Sequence, residues 1–452
     1  MLKTLRCGRR SYRVLQDTVV PRRLFLSEAY RCDEAWQARL QAPLLQKIHP
    51  ENFFLELEQK QNVQGKVSAV DVDMFANAII EKYQVKELLS LLHNLRCSSE
   101  TSNTLESTHH AVIKYLLNND CTEELVYVLH DRLNYGIFPD HHCYNVLMDK
   151  YIKAKDYANA AKIAVLPMLQ EDFDNPITNT LCLYSCYKHL DKPNDWPEPP
   201  APVDDSKEEI KIRVKYLRNP FFDDHFDITN PRDLVGKTLA FYGKHMNNTL
   251  GRTCQLRGLM LYRKYDDIRN LMDQWLNNVK HNVLYEEVLD LIKKDTENFP
   301  ETENSSQIEN IMSNLSNFKS ENFSTGNVTE VLENEVKSAI DKQADTDIAE
   351  QLKKYIEWEK LREKVLESQI QKIKVQARLE NIQKIKKEIQ QKEMILTFFD
   401  KEEEIELKIL QLQAEEKAEM DRVLGMYNAE TKLKKLEEEE EYVPPTIGKA
   451  SN

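Results

Sequence analysis

Laid on itself at an offset of 35 residues, the chain repeats its own apolar pattern. Val112, Ile113 and Leu116 fall on Leu147, Met148 and Tyr151, and Leu125 and Leu129 fall on Ala160 and Ala164. In the second copy Tyr144, Leu147, Met148 and Tyr151 stand at i, i+3, i+4 and i+7. Tyr157, Ala160, Ala161 and Ala164 do the same after a break at Lys155 and Asp156, so each unit reads as two amphipathic helices. A helix pair cannot hide its apolar stripe alone, and such units must stack on their neighbours. The predicted fold class is therefore all-α, a helical-repeat solenoid. Glycine usage agrees, because 10 Gly in 452 residues leave little material for β-turns or phosphate-cradling loops.

The flanks extend the pattern. Ile79, Ile80 and Tyr83 with Leu88, Leu89, Leu91 and Leu92 read as a degenerate pair at a slightly shorter offset, and Ile177, Leu181 and Tyr184 open a further first helix. Repeats are thus expected over 71–190, after an N-terminal extension at 27–70. Pro193, Pro197, Pro199, Pro200 and Pro202 stop the helix, giving a Pro-rich linker at 191–230. Patterning resumes with Leu234, Leu239 and Tyr242 and continues through Met272 and Trp275, so further repeat or capping helices are expected over 231–294. Residues 295–345, rich in Asn, Ser, Glu and Thr, read as a flexible acidic linker. Residues 346–441 carry the composition of a long charged helix or helical hairpin. Within them Leu379, Ile382, Ile385 and Ile389 approach a coiled-coil seam, the alternative being a solvated helix. The tail, 442–452, reads as disordered.

Charge and cysteines bound the compartment and the partners. Residues 1–26 hold Lys3, Arg6, Arg9, Arg10, Arg13, Arg22 and Arg23 against Asp17 alone, the balance of a mitochondrial presequence ending near Phe25 or of a basic RNA-binding arm. The whole chain carries a net charge of −13, the wrong sign for affinity drawn mainly from phosphate neutralisation. No run of apolar residues is long enough to span a membrane. The 8 Cys are scattered without a C-x-x-C pair and read as buried thiols in a reducing matrix. Cys182 and Cys186 with His189 lack a second ligand pair nearby.

Gly136, Ile137, Pro139 and Asp140, followed by Tyr144, Asn145, Leu147 and Met148, resemble the junction G-I-x-P-D-x-x-x-Y-N-x-L-[IM] of pentatricopeptide repeats. Tetratricopeptide repeats share the architecture, but their period is 34 and their Trp-Gly-Tyr pattern is missing here. The wider layout resembles the pentatricopeptide-containing mitochondrial ribosomal small-subunit protein 27 family. Leu26, Ser27, Ala29, Tyr30 and Trp36 after the basic segment, the helices beyond Leu234 and the charged tail all match. The resemblance implies a mitochondrial matrix subunit of the small ribosomal subunit. It would pack on small-subunit rRNA and neighbouring small-subunit proteins, with tRNA or mRNA as further partners, and support mitochondrial translation. A free matrix factor acting in transcript processing or translational activation is the alternative.

In RNA-reading arrays of this kind, the bases are selected by the fifth and last residues of a repeat. The resemblance carries those roles to His110 with Asp140 and to Asn145 with Asn175. So few units would read only a few nucleotides. Lys150 and Lys153 share a helix face near Asn145 and could meet phosphates, or simply solvate a helix end and its dipole. The doublets His109-His110 and His141-His142 invite a metal, but adjacent helical residues point apart, so no metal and no cofactor are expected. H-E-x-x-H, G-x-x-x-x-G-K-[ST], G-x-S-x-G and a Gly-rich dinucleotide loop are all missing, and no Asp-rich nuclease domain follows the repeats. The sequence therefore reads as a non-enzymatic protein whose repeat core is Val112, Leu116, Tyr144, Leu147, Met148, Tyr151, Ala160 and Ala164.

Overall fold

The computed structural model describes residues 25–198, 228–279, 281–297, 305–316, 318, 322–397, 399–400 and 402–440. Nearly all of the expected presequence, most of the Pro-rich linker and the tail at 442–452 lie outside them. After short 3-10 turns around Tyr30 come α1 (Asp33–Ala38), α2 (Pro50–Gln64), α3 (Ala69–Ala78), α4 (Val85–Arg96), α5 (Glu106–Asn118), α6 (Thr122–His130), α7 (His141–Lys153), α8 (Tyr157–Leu169) and α9 (Pro176–His189). Beyond the linker follow α10 (Pro231–His245), α11 (Thr249–Leu261), α12 (Tyr265–Asn278), α13 (Glu287–Glu297), α14 (Ser305–Ser316), α15 (Val328–Leu396) and α16 (Glu402–Glu440). Among the described residues the protein is all-α apart from a two-residue parallel ladder between β1 (Leu284–Tyr285) and β2 (Phe323–Ser324).

The repeat is visible in the helix starts. α5, α7 and α9 begin 35 residues apart, at Glu106, His141 and Pro176, and α6 and α8 keep the same interval. The turns repeat as well. Asp120 and Lys155 each hold a left-handed conformation just past the first helix of a pair. Behind them the Cys121 amide donates to the Leu116 carbonyl, and the Asp156 amide to Tyr151, which satisfies the orphan carbonyls at the helix end. Gly136, with φ +62, closes the second helix's exit where a side chain would be strained. Helix starts are fixed by acceptors: Asp140 takes the Cys143 amide at 2.9 Å, and Asn175 takes those of Ile177 and Thr178.

Val112, Leu116, Tyr144, Leu147, Met148, Tyr151, Ala160 and Ala164 all sit in one continuous core spanning α3 to α11. A separate core joins Leu256, Met260, Ile268 and Met272 to Val288, Ile292, Ile311 and Leu315.

Two boundaries differ from the sequence reading. The helix upstream of the clear repeats lies over Ala69–Ala78, before the Ile79–Tyr83 stretch that seemed to supply it. Ile80 and Tyr83 instead sit exposed in the connection, because the run Ala69–Ala78 is buried on all sides and shows no amphipathic period. Residues 295–345, expected as flexible, hold α14 and the start of α15. Polar composition masked Ile308, Ile311, Met312 and Leu315, which stand at i, i+3, i+4 and i+7 and turn one face of α14 inward.

The chain divides into two units, residues 1–365 and 366–452. Within the first, α15 buries one stripe at intervals of one or two helical turns: Val328, Leu332, Val336, Ala339, Asp347, Gln351, Trp358 and Arg362. Within the second, the described side chains are almost entirely exposed, Leu379, Ile382, Ile385 and Ile389 among them. No helix among the described residues is long and apolar enough to cross a membrane.

Candidate functional site

The first helix of each pair turns a row of polar side chains to the same side: Asp73 on α3, His110 and Lys114 on α5, His142, Asn145 and Asp149 on α7, and Thr178 on α9. All are buried. Buried polar groups need partners, and two segments of the same chain supply them.

The first is an N-terminal strap, residues 25–36. The Leu26 amide donates to Asp149 at 3.1 Å, and Lys153 donates to the Leu26 carbonyl at 3.0 Å. Asn145 donates its amide to the Tyr30 hydroxyl at 2.8 Å, and His142 lies 2.8 Å from the Tyr30 carbonyl. Further along, Lys114 bonds the Arg31 carbonyl at 2.7 Å and Asp33 at 2.9 Å. Phe25 packs edge-on against Tyr184, and Trp36 against His110.

The second is α15, which crosses the same helices in reverse order. Tyr184 of α9 donates to Glu333 at 3.2 Å, and Asn175 to Asp347 at 3.0 Å. His110 of α5 meets the Tyr355 hydroxyl at 3.0 Å, and Arg362 donates to Asp73 of α3 at 2.6 Å. Strap and helix also hold each other, since the Tyr30 hydroxyl donates to Asp347 at 2.8 Å. Burial, with Asp347 beside it, pushes the Tyr30 phenol well above its ordinary value, so it stays a donor.

The residues expected to face RNA are therefore placed as follows. Asn145 and Asn175 are brought together through Thr178, which donates to Asn145 at 2.8 Å and whose amide is capped by Asn175. Both asparagines are buried against the chain's own tyrosine and aspartate. His110 and Asp140 approach to 4.0 Å. Lys150 stands apart, bonded to the Leu117 carbonyl and paired with Asp120 at 2.7 Å. Lys153 pairs with Asp149 one turn earlier on α7.

The histidine doublets do part as adjacent helical residues must, but one member of each converges with its counterpart from the next repeat. His110 and His142 join Asp140 and Cys143 in a buried cluster, with one ligand atom of each within 4.8 Å of the others. Burial holds the His142 imidazole neutral, its pKa lowered to about 4, lowers that of His110 and raises the Cys143 thiol. Burial opposes ionisation of Asp140, but the two imidazoles and the Cys143 amide outweigh it and hold the carboxyl below its usual range.

Sequence reasoning missed Tyr30, Asp73, Asp347, Tyr355 and Arg362. Their signal was present in part: buried positions recur along one face of α15 from Val328 to Arg362, at intervals of one or two turns, but they change from apolar to polar midway. Asp73 stood as a charge inside the apolar run Ala69–Ala78.

The basic N-terminal segment, the helix pairs and the first part of the charged C-terminal region are covered by one family model. A family model described as mitochondrial 28S ribosomal protein S27 covers residues 1–388. The chain belongs to the mitochondrial 28S ribosomal protein S27 family, a mitochondrial protein of the small ribosomal subunit.

Proposed function

We propose that the protein is a structural scaffold of the mitochondrial small ribosomal subunit, packing on rRNA and on neighbouring proteins and supporting translation without reading bases through its repeats. One observation carries this reading. Three of the positions that would select bases, His110, Asn145 and Asn175, are buried against Tyr30, Asp347 and Tyr355 of the same chain. A base could reach them only by displacing both the strap and α15, which would expose hydrogen-bonding groups that cost about 1–3 kcal/mol each when left unpaired. Lys150 and Lys153 already have anionic partners, and the net charge of −13 leaves rRNA contact to local patches on the phosphate backbone. The exposed isoleucines of the second unit supply the face that meets a neighbouring protein.

Sedimentation of matrix extract tests the assignment. The protein is expected to comigrate with the small subunit at moderate salt. A peak of free protein, or of protein bound to mRNA alone, would favour the free transcript-binding factor and end the scaffold reading.

A further inference from the structure

The cluster at the start of α7 contains two atoms that no hydrogen bond satisfies. His142 Nε2 lies 2.8 Å from the Tyr30 carbonyl oxygen, which can only accept, so Nε2 carries the ring hydrogen. Nδ1 of the neutral ring is then a bare lone pair, and it is buried with no partner. Asp140 Oδ1 is spent on the Cys143 amide, but Oδ2 is likewise buried without a hydrogen bond, its nearest cation being Lys354 at 3.8 Å. The only hydrogens near these two acceptors are that of the Cys143 thiol, 3.2 Å from His110 Nδ1, and in one tautomer that on His110 Nδ1 itself, so the cluster holds more buried acceptors than donors, an unfavourable arrangement that suits an electrophile.

Two further ligand atoms face the same space. His110 Nδ1 and Cys143 Sγ are 3.2 Å apart. His110 turns its other nitrogen to the Tyr355 hydroxyl at 3.0 Å. Each imidazole thus has one nitrogen held by a group outside the cluster and the other turned inward, the arrangement by which protein ligands are oriented around a metal.

We propose that His110, Asp140, His142 and Cys143 form a closed four-ligand site for a divalent transition-metal ion, with zinc the best match. Two imidazoles, a thiolate and a carboxylate suit a borderline-soft, tetrahedral ion. The charges also balance, because a 2+ ion against one thiolate and one carboxylate leaves a neutral centre fit for burial. Binding replaces the Cys143 S–H bond by a sulfur–metal bond and releases that proton to solvent, while both histidines enter in their neutral form. Four protein ligands leave no open position, so the role is structural. The ion would lock α5 to α7, and through the Tyr30 carbonyl and Tyr355 hydroxyl it would fasten the strap and α15 to both.

The test uses the full-length chain, stripped with a chelator under reducing conditions and titrated with Co2+ as a spectroscopic probe. One equivalent is expected to bind with tetrahedral ligand-field bands and a thiolate charge-transfer band, and Zn2+ is expected to displace it. Cys143→Ser should abolish the charge-transfer band, Tyr355→Phe should weaken binding roughly tenfold, and Cys97→Ser, at an exposed thiol outside the cluster, should change nothing. If circular dichroism shows that Cys143→Ser does not fold, His142→Gln takes its place. The proposal is overturned if the wild-type chain takes up neither ion stoichiometrically, leaving a hydrogen-bonded helix cap only, or if the thiolate band survives in Cys143→Ser. Neither result bears on ribosome association, so the scaffold assignment is judged separately.

Discussion

Leu147 shows how a single side chain serves the repeat: it is fully buried on α7, at the position where the first copy has Val112. Truncating it to Ala removes buried methyl groups and leaves a hole between helices, so Leu147→Ala should cost about 2–5 kcal/mol. Denaturant melts would read this, and a change under about half a kcal/mol would mean that the stripe does not pack as described. His130 gives the molecule a pH dependence. It is half-buried against the Lys162 carbonyl, and desolvation lowers its pKa below the unfolded value. The unfolded chain therefore binds more protons than the folded one as pH falls through the ordinary imidazole range, and stability declines on acidification from neutral pH. His130→Gln should reduce that slope between pH 7 and 5 by part, since buried His110 and His142 contribute in the same direction. An unchanged slope would place the titration elsewhere.

Elements differ in how openly their sequences declared them. α5 to α9 were legible because their apolar residues recur at helical spacing and the whole pattern recurs at 35 residues. α3 was displaced because a helix buried on every side has no polar face to mark its phase. The site was less legible still: Asn145 and Asn175 were identifiable as the fifth and last residues of a repeat, but their partners lie far along the chain, where no local period points back to them. The α10–α11 pair was legible as two helices and not as a close one. A side chain at Gly243 would press on the Gly251 carbonyl and the Gln255 amide, each 2.7 Å away, and one at Gly258 on the Gly236 carbonyl and the Ala240 amide. These backbones touch without side chains between them, so Gly258→Ala should destabilise by about 1–3 kcal/mol. Thermal melts of that variant beside Gly425→Ala, where nothing lies nearby, would show it, and equal melting temperatures would refute the close packing.

For the molecule as a whole, the division at Val365 separates a stretch of α15 that is part of the core from one that is not. Ending the chain after Val365 should leave the melting transition of the first unit unchanged. Ending it after Asn327 removes Val328, Leu332, Val336 and Trp358 from the core and takes Arg362 away from Asp73, a buried carboxylate whose loss of partner alone costs about 3–5 kcal/mol. Truncations that melt alike would show that α15 contributes nothing to the first unit. Tyr30 and Asp347 stand 317 positions apart, yet one bond joins them. A polypeptide threaded into an organelle amino end first delivers the tyrosine early and the aspartate late, so the strap can reach Lys114, His142, Asn145 and Asp149 while the groups paired with α15 wait until most of the chain has arrived. Closing that bond is a long-range step, slow by its topology, that can be completed only after α15 has been made.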